Sequence, residues 1–198
     1  MTIAQIAEIL KTKIVGIAGC GGLGSNCAVA LARVGLGTLV IADFDIVSQS
    51  NLNRQYYFSD QIGLKKTQAL RENIQRIDSR VKVISHETKL TRENIPVIFQ
   101  GCDVVVEAFD LAEEKEMLIE TMLGEMPLTP LVVGLGMAGW GMNESIHYRT
   151  AGNLHICGDE ISEISMELPP IAPRVGIVAN MQANVVVEIL LNSKKAAI

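Results

Sequence analysis

Short apolar runs alternate with helix-forming stretches along most of the chain, a pattern typical of α/β proteins. Lys13 to Gly19 is an apolar run that ends in glycines, and Ser25 to Val34 follows it with alanine and leucine. This order predicts a strand, a tight turn and a helix, which together open a βαβ unit. Gly35 and Gly37 then break the helix, and Thr38 to Ala42 is predicted to be a second buried strand.

The same alternation continues further along the chain. Leu64 to Ile77 places its apolar residues on one helical stripe, and Val81 to Ser85 alternates like a strand nearer an edge. Asp103 to Ala108 is predicted to be another buried strand, Leu111 to Leu123 an amphipathic helix, and Leu131 to Leu135 a further strand. We therefore predict an α/β fold with a Rossmann-like, doubly wound and mostly parallel sheet.

The pattern changes after residue 136. Two strands are predicted near Ser145 to Thr150 and Asn153 to Ile156, and an acidic segment with prolines follows, so this region is interpreted as a crossover that adds a C-terminal antiparallel extension. Pro173 suits the first turn of a final helix. We expect one nucleotide-binding domain over residues 1–198, with these parts: N-terminal helix 1–12, Rossmann-like core 13–136, crossover 137–173 and C-terminal helix 174–198.

Composition narrows the class of protein. The 198 residues carry a net charge of -5, which argues against a broad surface for nucleic acid or anionic lipid. Val175 to Leu191 is apolar but contains asparagine, glutamine and glutamate, so it is interpreted as a buried helix and no membrane partner is expected. The first residues lack the features of a secretion signal, and a cytoplasmic location is expected. The four cysteines form no C-x-x-C pair, so no zinc is expected.

A glycine-rich turn and an acid point to a nucleotide. Gly19, Gly21 and Gly24 satisfy G-x-G-x-x-G between a predicted strand and helix, where free backbone amides face phosphate oxygens, and Gly22 allows close approach. Asp43 ends the second predicted strand, where a carboxylate accepts hydrogen bonds from ribose hydroxyls. Glycine turns also serve plain packing, and an acid can simply cap a strand. To this point an NAD-dependent dehydrogenase fits equally well.

The polar stretch from Asp45 to Asp60 is too long for an ordinary connection, and such loops are usually functional. The run D-F-D-I-V-S-Q-S-N-L-N-R-Q, Asp43 to Gln55, is followed by G-L-K-K, Gly63 to Lys66. Together with the glycine turn, this run resembles the ThiF/MoeB/HesA family, bacterial relatives of the ubiquitin-activating enzymes. The resemblance covers most of the chain, and its polar residues recur at fixed separations.

The resemblance implies that ATP and Mg²⁺ are used to join AMP to the C-terminal glycine carboxylate of a small carrier protein, releasing pyrophosphate. Fixed cations are most useful in that transition state, because two anions approach and charge grows on the leaving oxygen. The residues that match the family's catalytic positions are Arg54, Lys66 and Asp110. The matching nucleotide-contacting positions are Gly19, Gly21, Gly22, Gly24, Asp43, Asn51, Arg54 and Lys66. The family spacing favours Lys66 over Lys65, which is expected to be a solvated neighbour.

Asp110 follows a predicted strand at the place where an α/β sheet opens its ligand crevice, and it aligns with the family's metal-binding aspartate, here for Mg²⁺. The usual family sequence has asparagine next, whereas Leu111 stands here, so the resemblance does not extend to that polar nucleotide contact. Glu107 is interpreted either as an additional acid or as a strand-end carboxylate near solvent.

Other features resemble those of a shorter branch of the family. The N-terminal R-Y-x-R-Q stretch and the paired C-x-x-C motifs of larger members are absent from the sequence. The C-G-D…P-R-V…Q-A-N pattern, in Cys157 to Asp159, Arg174 to Val175 and Gln182 to Asn184, resembles a branch assigned to thiamine biosynthesis. The resemblance thus implies a sulfur carrier of the ThiS type ending in Gly-Gly.

Cysteine chemistry and oligomeric state stay open at the level of sequence. Cys157 lies in the region where some relatives use a crossover-loop cysteine, yet its run is apolar, and Cys20 is interpreted as a small packing residue. Homodimerisation is implied by the resemblance. Val185 to Val187 and Leu190 to Leu191 are candidates for the contact area, although core packing explains them equally well.

Three alternatives remain beside carrier adenylation. An NAD-linked oxidoreductase explains the glycines and Asp43 but leaves Arg54, Lys66 and Asp110 without roles. A non-catalytic scaffold of the same fold is opposed by the retained charged set. Activation of the molybdopterin carrier, or dehydration of a modified tRNA adenosine, lies within the family, and the acidic composition disfavours tRNA.

Overall fold

The computed structural model describes residues 1–192, which form a seven-stranded sheet with helices on both faces. The strands are β1 (Ile14–Ala18), β2 (Thr38–Ala42), β3 (Lys82–His86), β4 (Val104–Glu107), β5 (Leu131–Gly134), β6 (His147–Ala151) and β7 (Leu154–Gly158). The helices are α1 (Ile3–Leu10), α2 (Gly22–Arg33), α3 (Lys66–Ile77), α4 (Ile95–Ile98), α5 (Ala112–Glu125) and α6 (Ala172–Asn192). Short 3-10 turns cover Gln49–Asn51, Ser59–Gln61 and Asn143–Ser145.

The strand order is β3-β2-β1-β4-β5-β7-β6, and only the pair of β6 and β7 is antiparallel. The predicted doubly wound, mostly parallel sheet with an antiparallel extension and a final helix is confirmed. The strand predicted nearer an edge, β3, is an edge strand. The one-turn helix α4 was not predicted, because four residues that include a proline are too few to show a helical period.

Two hydrophobic clusters hold the helices to the sheet. Val15 and Ile17 point to the face covered by α2, α3 and α6, whereas Ala18 and Val105 point to the face covered by α4 and α5. This is the alternation that a strand buried on both sides requires. The core therefore lies on both faces of β1 and β4, which are neighbours in the centre of the sheet.

Helix α6 is apolar because much of it belongs to the core. Its length and composition also satisfy the requirement for crossing a membrane, a test that core helices pass as well. Of the residues considered for a dimer contact, Val185, Val186 and Leu190 are buried within the chain, so core packing accounts for them. The predicted C-terminal helix 174–198 begins slightly earlier, at Ala172, and residues 193–198 lie outside the described residues.

The connections after β1 and β4 leave the sheet on opposite faces. The chain enters α2 after β1 and α5 after β4, and these helices belong to different faces of the sheet. In an open parallel sheet, such a reversal leaves a crevice outside the carboxyl ends of the two strands. The candidate site is expected there.

The third glycine of the turn sets the distance between α2 and β1. A Cβ atom at Gly24 would overlap the carbonyl oxygen of Gly19 and press against Ile17. We expect Gly24→Ala to lower the free energy of unfolding by about 1–3 kcal/mol or more, because the helix must move away from the strand. The midpoint of urea denaturation measures this change.

Gly124 provides the matched control, since it is exposed on α5 and, apart from its chain neighbours and the backbone of its own helix, nothing lies within 4 Å of its would-be Cβ. Gly124→Ala should stabilise the protein by about 0.5–1 kcal/mol, because alanine has the higher helix propensity. Equal midpoints for Gly24→Ala and the unmodified protein would contradict the close-packing role.

Candidate functional site

A cavity of about 1100 Å³ lies over the carboxyl ends of β1, β2, β4 and β5. Most of the predicted site residues line it: Gly19, Gly21, Gly22, Asp43, Arg54, Lys66 and Asp110. Asn51, Gly24 and Cys157 do not belong to its lining. The fold thus brings the two cations, the two acids and three of the four glycines to one crevice.

The glycine turn presents free backbone donors to the cavity. The amides of Gly21, Gly22 and Leu23 have no acceptor within residues 1–192, and all three residues line the cavity at the start of α2. The first amides of a helix lack partners inside the helix, and they favour negative charge. Gly19 adopts φ +95°, a conformation that favours glycine and lets the chain turn from β1 into the helix. The turn is therefore suited to phosphate oxygens.

Asp43 joins the end of β2 to the glycine turn. Its carboxylate accepts hydrogen bonds from the amides of Cys20 at 2.6 Å and Asp45 at 2.7 Å. Burial raises the pKa of Asp43, against the opposing effects of the Lys66 charge and of these two amides. Each carboxylate oxygen keeps a lone pair, so the group is still able to accept from a ligand hydroxyl.

Arg54 reaches the cavity from the polar loop after β2. Its Nη1 donates to the carbonyl of Ser50 at 3.1 Å and to Oδ1 of Asn53 at 2.8 Å. Its Nε and Nη2 groups have no acceptor within residues 1–192, so they are available to an anion. Asn51 supports the backbone of this loop. Its side chain accepts a hydrogen bond from the amide of Ser48, and its carbonyl accepts one from the amide of Arg54. Asn51 thus shapes the turn that carries the arginine.

Lys66 and Lys65 point in different directions, as the family spacing implied. Lys66 is 7% exposed, lines the cavity and donates to Oδ2 of Asp45 at 2.7 Å. Lys65 is paired instead with Glu87 at 2.9 Å and is about half exposed. Of the two adjacent lysines, only Lys66 lines the cavity.

Asp110 is a free carboxylate on the cavity wall. Its side chain makes no hydrogen bond or ion pair within residues 1–192, and it is exposed. The described residues contain no group of three or more histidine, cysteine, aspartate or glutamate side chains able to enclose a metal. Mg²⁺, however, is usually held by one or two carboxylates together with substrate phosphates. A single unpaired aspartate in the same cavity as the free amides of the glycine turn fits that arrangement.

Sequence reasoning missed Lys115, and of its two interpretations of Glu107 the one near solvent is wrong. Glu107 is fully buried at the end of β4, and Lys115 pairs with it at 2.5 Å. Burial raises the pKa of Glu107, against the opposing effect of the Lys115 ammonium. Lys115 lines the cavity floor. The available signal was a glutamate at the end of the run V-V-V, with a lysine in the first turns of the next helix.

The structure argues against a reactive thiol in the ligand-free protein. Cys157 is fully buried on β7, and burial raises its pKa to about 12. Reactive cysteines need exposure and a stabilised thiolate, and Cys157 has neither. Cys20 is likewise fully buried, as expected of a small packing residue.

The crossover is anchored by a buried ion pair that the sequence did not reveal. Arg174, at the start of α6, pairs with Asp159 just after β7, and both side chains are at most 3% exposed. Arg174 also donates to the carbonyl of Gly141 and to the hydroxyl of Ser145. One guanidinium therefore connects α6, the segment after β5 and the end of β7.

Asp159 in turn shapes the cavity wall. Burial by itself raises the pKa of Asp159, but hydrogen bonds from the amides of Ser162 and Ile161, from the Ser162 hydroxyl and from Arg174 lower it to about 2. Ser162 lines the cavity and accepts from the amide of Ala138 at 3.1 Å. The C-G-D and P-R-V parts of the sequence pattern thus have a structural basis.

Several proteins of known name are similar to this chain in sequence. The chain is 30% identical over 195 residues to "Adenylyltransferase and sulfurtransferase MOCS3" of Dictyostelium discoideum, with 92% of this chain and 44% of the relative covered. It is 36% identical over 102 residues to "Probable adenylyltransferase/sulfurtransferase MoeZ" of Mycobacterium tuberculosis, with 51% and 26% covered. The chain spans less than half the length of these relatives.

The fold also has close counterparts among solved structures. The tRNA N6-threonylcarbamoyladenosine dehydratase TcdA of E. coli, in complex with AMP, superposes with a TM-score of 0.86 at 20% identity, covering 98% of this chain and 91% of that one. MccB of E. coli superposes with a TM-score of 0.71 at 19% identity, covering 94% and 58%. The sequence profile of the ThiF family matches residues 4–198. The chain therefore belongs to the ThiF family.

Proposed function

We propose that this protein uses ATP to adenylylate the C-terminal glycine carboxylate of a small ubiquitin-like sulfur carrier, of the ThiS type used in thiamine thiazole synthesis. One observation carries the proposal. The free amides of the glycine turn, the cations Arg54 and Lys66, and the unpaired Asp110 converge on one cavity beside Asp43. The names of the curated relatives and the AMP and ATP complexes of TcdA support it.

The proposed reaction assigns a task to each group. A carboxylate oxygen of the carrier bonds to the α-phosphorus, and the bond from that phosphorus to the bridging oxygen breaks, so pyrophosphate leaves with the electron pair. Arg54 and Lys66 stabilise charge on the phosphates, and the amides of Gly21 and Gly22 hold their oxygens. Asp43 accepts from the ribose hydroxyls. Asp110 would hold Mg²⁺, which supplies further neutralisation of phosphate charge.

The extent of the cavity supports a second substrate beside the nucleotide. At about 1100 Å³ it lies near the upper end of the roughly 300–1000 Å³ range of small-ligand sites. Apart from the glycine turn its walls include Leu111, Ile119, Ile164 and Pro170. The proposal places the carrier's C-terminal Gly-Gly, which lacks side chains, in this part of the cavity.

A homodimer is part of the proposal. It rests on the family resemblance, because the apolar residues first considered for the contact are largely buried in the core. Analytical ultracentrifugation of the purified protein measures its mass in solution.

The test of the function is exchange of labelled pyrophosphate into ATP. We expect exchange only when a ThiS-type carrier ending in Gly-Gly is present, because pyrophosphate adds back to the acyl-adenylate. The matched control is the same carrier without its last glycine, which should support no exchange. An oxidoreductase or a scaffold shows none with either carrier, and that result would overturn the proposal.

The identity of the carrier is tested in the same assay. A molybdopterin-type carrier is compared with the ThiS-type carrier at equal concentration. Faster exchange with the molybdopterin-type carrier would retain adenylation but remove the thiamine assignment.

A further inference from the structure

We infer that Glu107 and Lys115 are positioning residues that fix Asp110 for its part in metal-dependent nucleotide binding. The inference rests on the proposed function only in assigning Asp110 to a metal. Neither residue contacts that carboxylate. They act on the backbone of Phe109, the residue directly before it.

The backbone at Phe109 is held at both of its polar groups. Its amide donates to Oε1 of Glu107 at 2.7 Å, and its carbonyl accepts from Nζ of Lys115 at 3.3 Å. Glu107 and Lys115 also pair with each other at 2.5 Å. The residue directly before Asp110 is therefore clamped by two oppositely charged side chains that are themselves joined.

The ammonium of Lys115 also reaches the neighbouring strand. It donates to the carbonyl of Gly134 at the end of β5, at 2.9 Å. The first turn of α5, after Asp110, is closed by an ordinary helix bond from the amide of Lys115 to the carbonyl of Leu111, which does not depend on the side chain. Asp110 thus directly follows a backbone segment that the clamp attaches to β4 and β5. An exposed carboxylate with no side-chain partner has no other support for its position.

A purely structural ion pair is a weaker explanation. A buried charge pair seldom stabilises a protein more than apolar residues of the same size would. Here the pair lies next to the cavity, and each of its members makes a hydrogen bond to the backbone of Phe109. Groups that orient a ligand residue in this way typically change metal affinity by about 10–100-fold when removed.

The experiment titrates Mg²⁺ against binding of ATP, followed by calorimetry, and needs no carrier. The test protein is the double variant Glu107→Gln with Lys115→Met, which leaves no unpaired buried charge. We expect the Mg²⁺ concentration for half-maximal enhancement of ATP binding to rise about 10–100-fold. Affinity for ATP without metal should change less than twofold. The single variant Lys115→Arg, which keeps a cation beside Glu107, should retain most of the Mg²⁺ affinity that the double variant loses.

Lys13→Met is the matched control. Lys13 forms a comparable, partly buried pair with Asp103 at 2.9 Å, but at the opposite ends of β1 and β4. Lys13→Met should lower the free energy of unfolding without changing the Mg²⁺ concentration for half-maximal enhancement of ATP binding. The inference is overturned if the folded double variant needs no more Mg²⁺ than the unmodified protein, or if Lys13→Met shifts the Mg²⁺ requirement equally. It is also overturned if Mg²⁺ does not affect ATP binding by the unmodified protein. Normal Mg²⁺-dependent binding without any carrier-dependent exchange would instead overturn the proposed function alone.

Discussion

Replacing Lys66 by methionine should reduce carrier-dependent pyrophosphate exchange by about 100–1000-fold, the usual effect of removing one fixed donor to developing charge. Lys66 is buried against the cavity, so no mobile surface cation can take its place. The fold should survive, because its partner Asp45 is half exposed and can be solvated. Initial rates at saturating ATP, together with a urea midpoint, measure the two quantities separately.

The neighbouring lysine offers the control for this prediction. Lys65→Met removes the same charge one residue earlier, from a side chain that pairs with Glu87 in solvent. Its exchange rate should stay within about threefold of the unmodified protein, since exposed pairs are worth little. If both variants lose activity equally, net charge and not the placement of Lys66 is responsible.

Replacing Arg174 by methionine should lower the free energy of unfolding by about 3–5 kcal/mol, because Asp159 is then left as a buried charge without its partner. That is a large share of the roughly 5–15 kcal/mol typical of whole domains. Arg149→Met is the control, because Arg149 pairs with the adjacent Glu160 at an exposed position. Its cost should be at most about 1 kcal/mol. Urea denaturation measures both, and similar costs would contradict the special weight of the buried pair.

The same pair predicts a dependence of stability on pH. The pKa of Asp159 is lowered to about 2 in the folded protein, whereas an unfolded aspartate titrates near ~3.9. A depressed pKa adds stability that is complete above the unfolded value and is lost as the pH falls toward about 2. The unmodified protein should therefore lose more stability than Arg174→Met when the urea midpoint is compared between pH 7 and pH 3.

The local pattern was enough to predict the framework of the fold and most of the cavity lining. β2 covers the predicted residues, because a threonine and four apolar residues between glycine and aspartate leave little choice of boundaries. Gly21, Asp43 and Lys66 lie at the cavity because each occupies a strand end or a helix start, and these ends meet in a parallel sheet.

What the sequence could not show was which charged side chains pair inside the fold. Glu107 was interpreted either as an additional acid or as a strand-end carboxylate near solvent, because the run V-V-V-E does not show that Lys115 pairs with it. Asp159 and Arg174 are likewise separated by the acidic crossover, and a charge in that segment is predicted to be exposed until the fold is known. Asn51 was placed in the pocket by resemblance, and the structure gives it the turn behind Arg54 instead.

The ion pair between Lys66 and Asp45 bears on how the proposed nucleotide would bind. The lysine already has an anion at 2.7 Å, so in the proposed reaction the phosphates would replace Asp45 as its partner. The gain from this cation would then be the difference between its attraction to the phosphates and its attraction to Asp45. Asp45 is half exposed, and it can rotate into water while its place is taken.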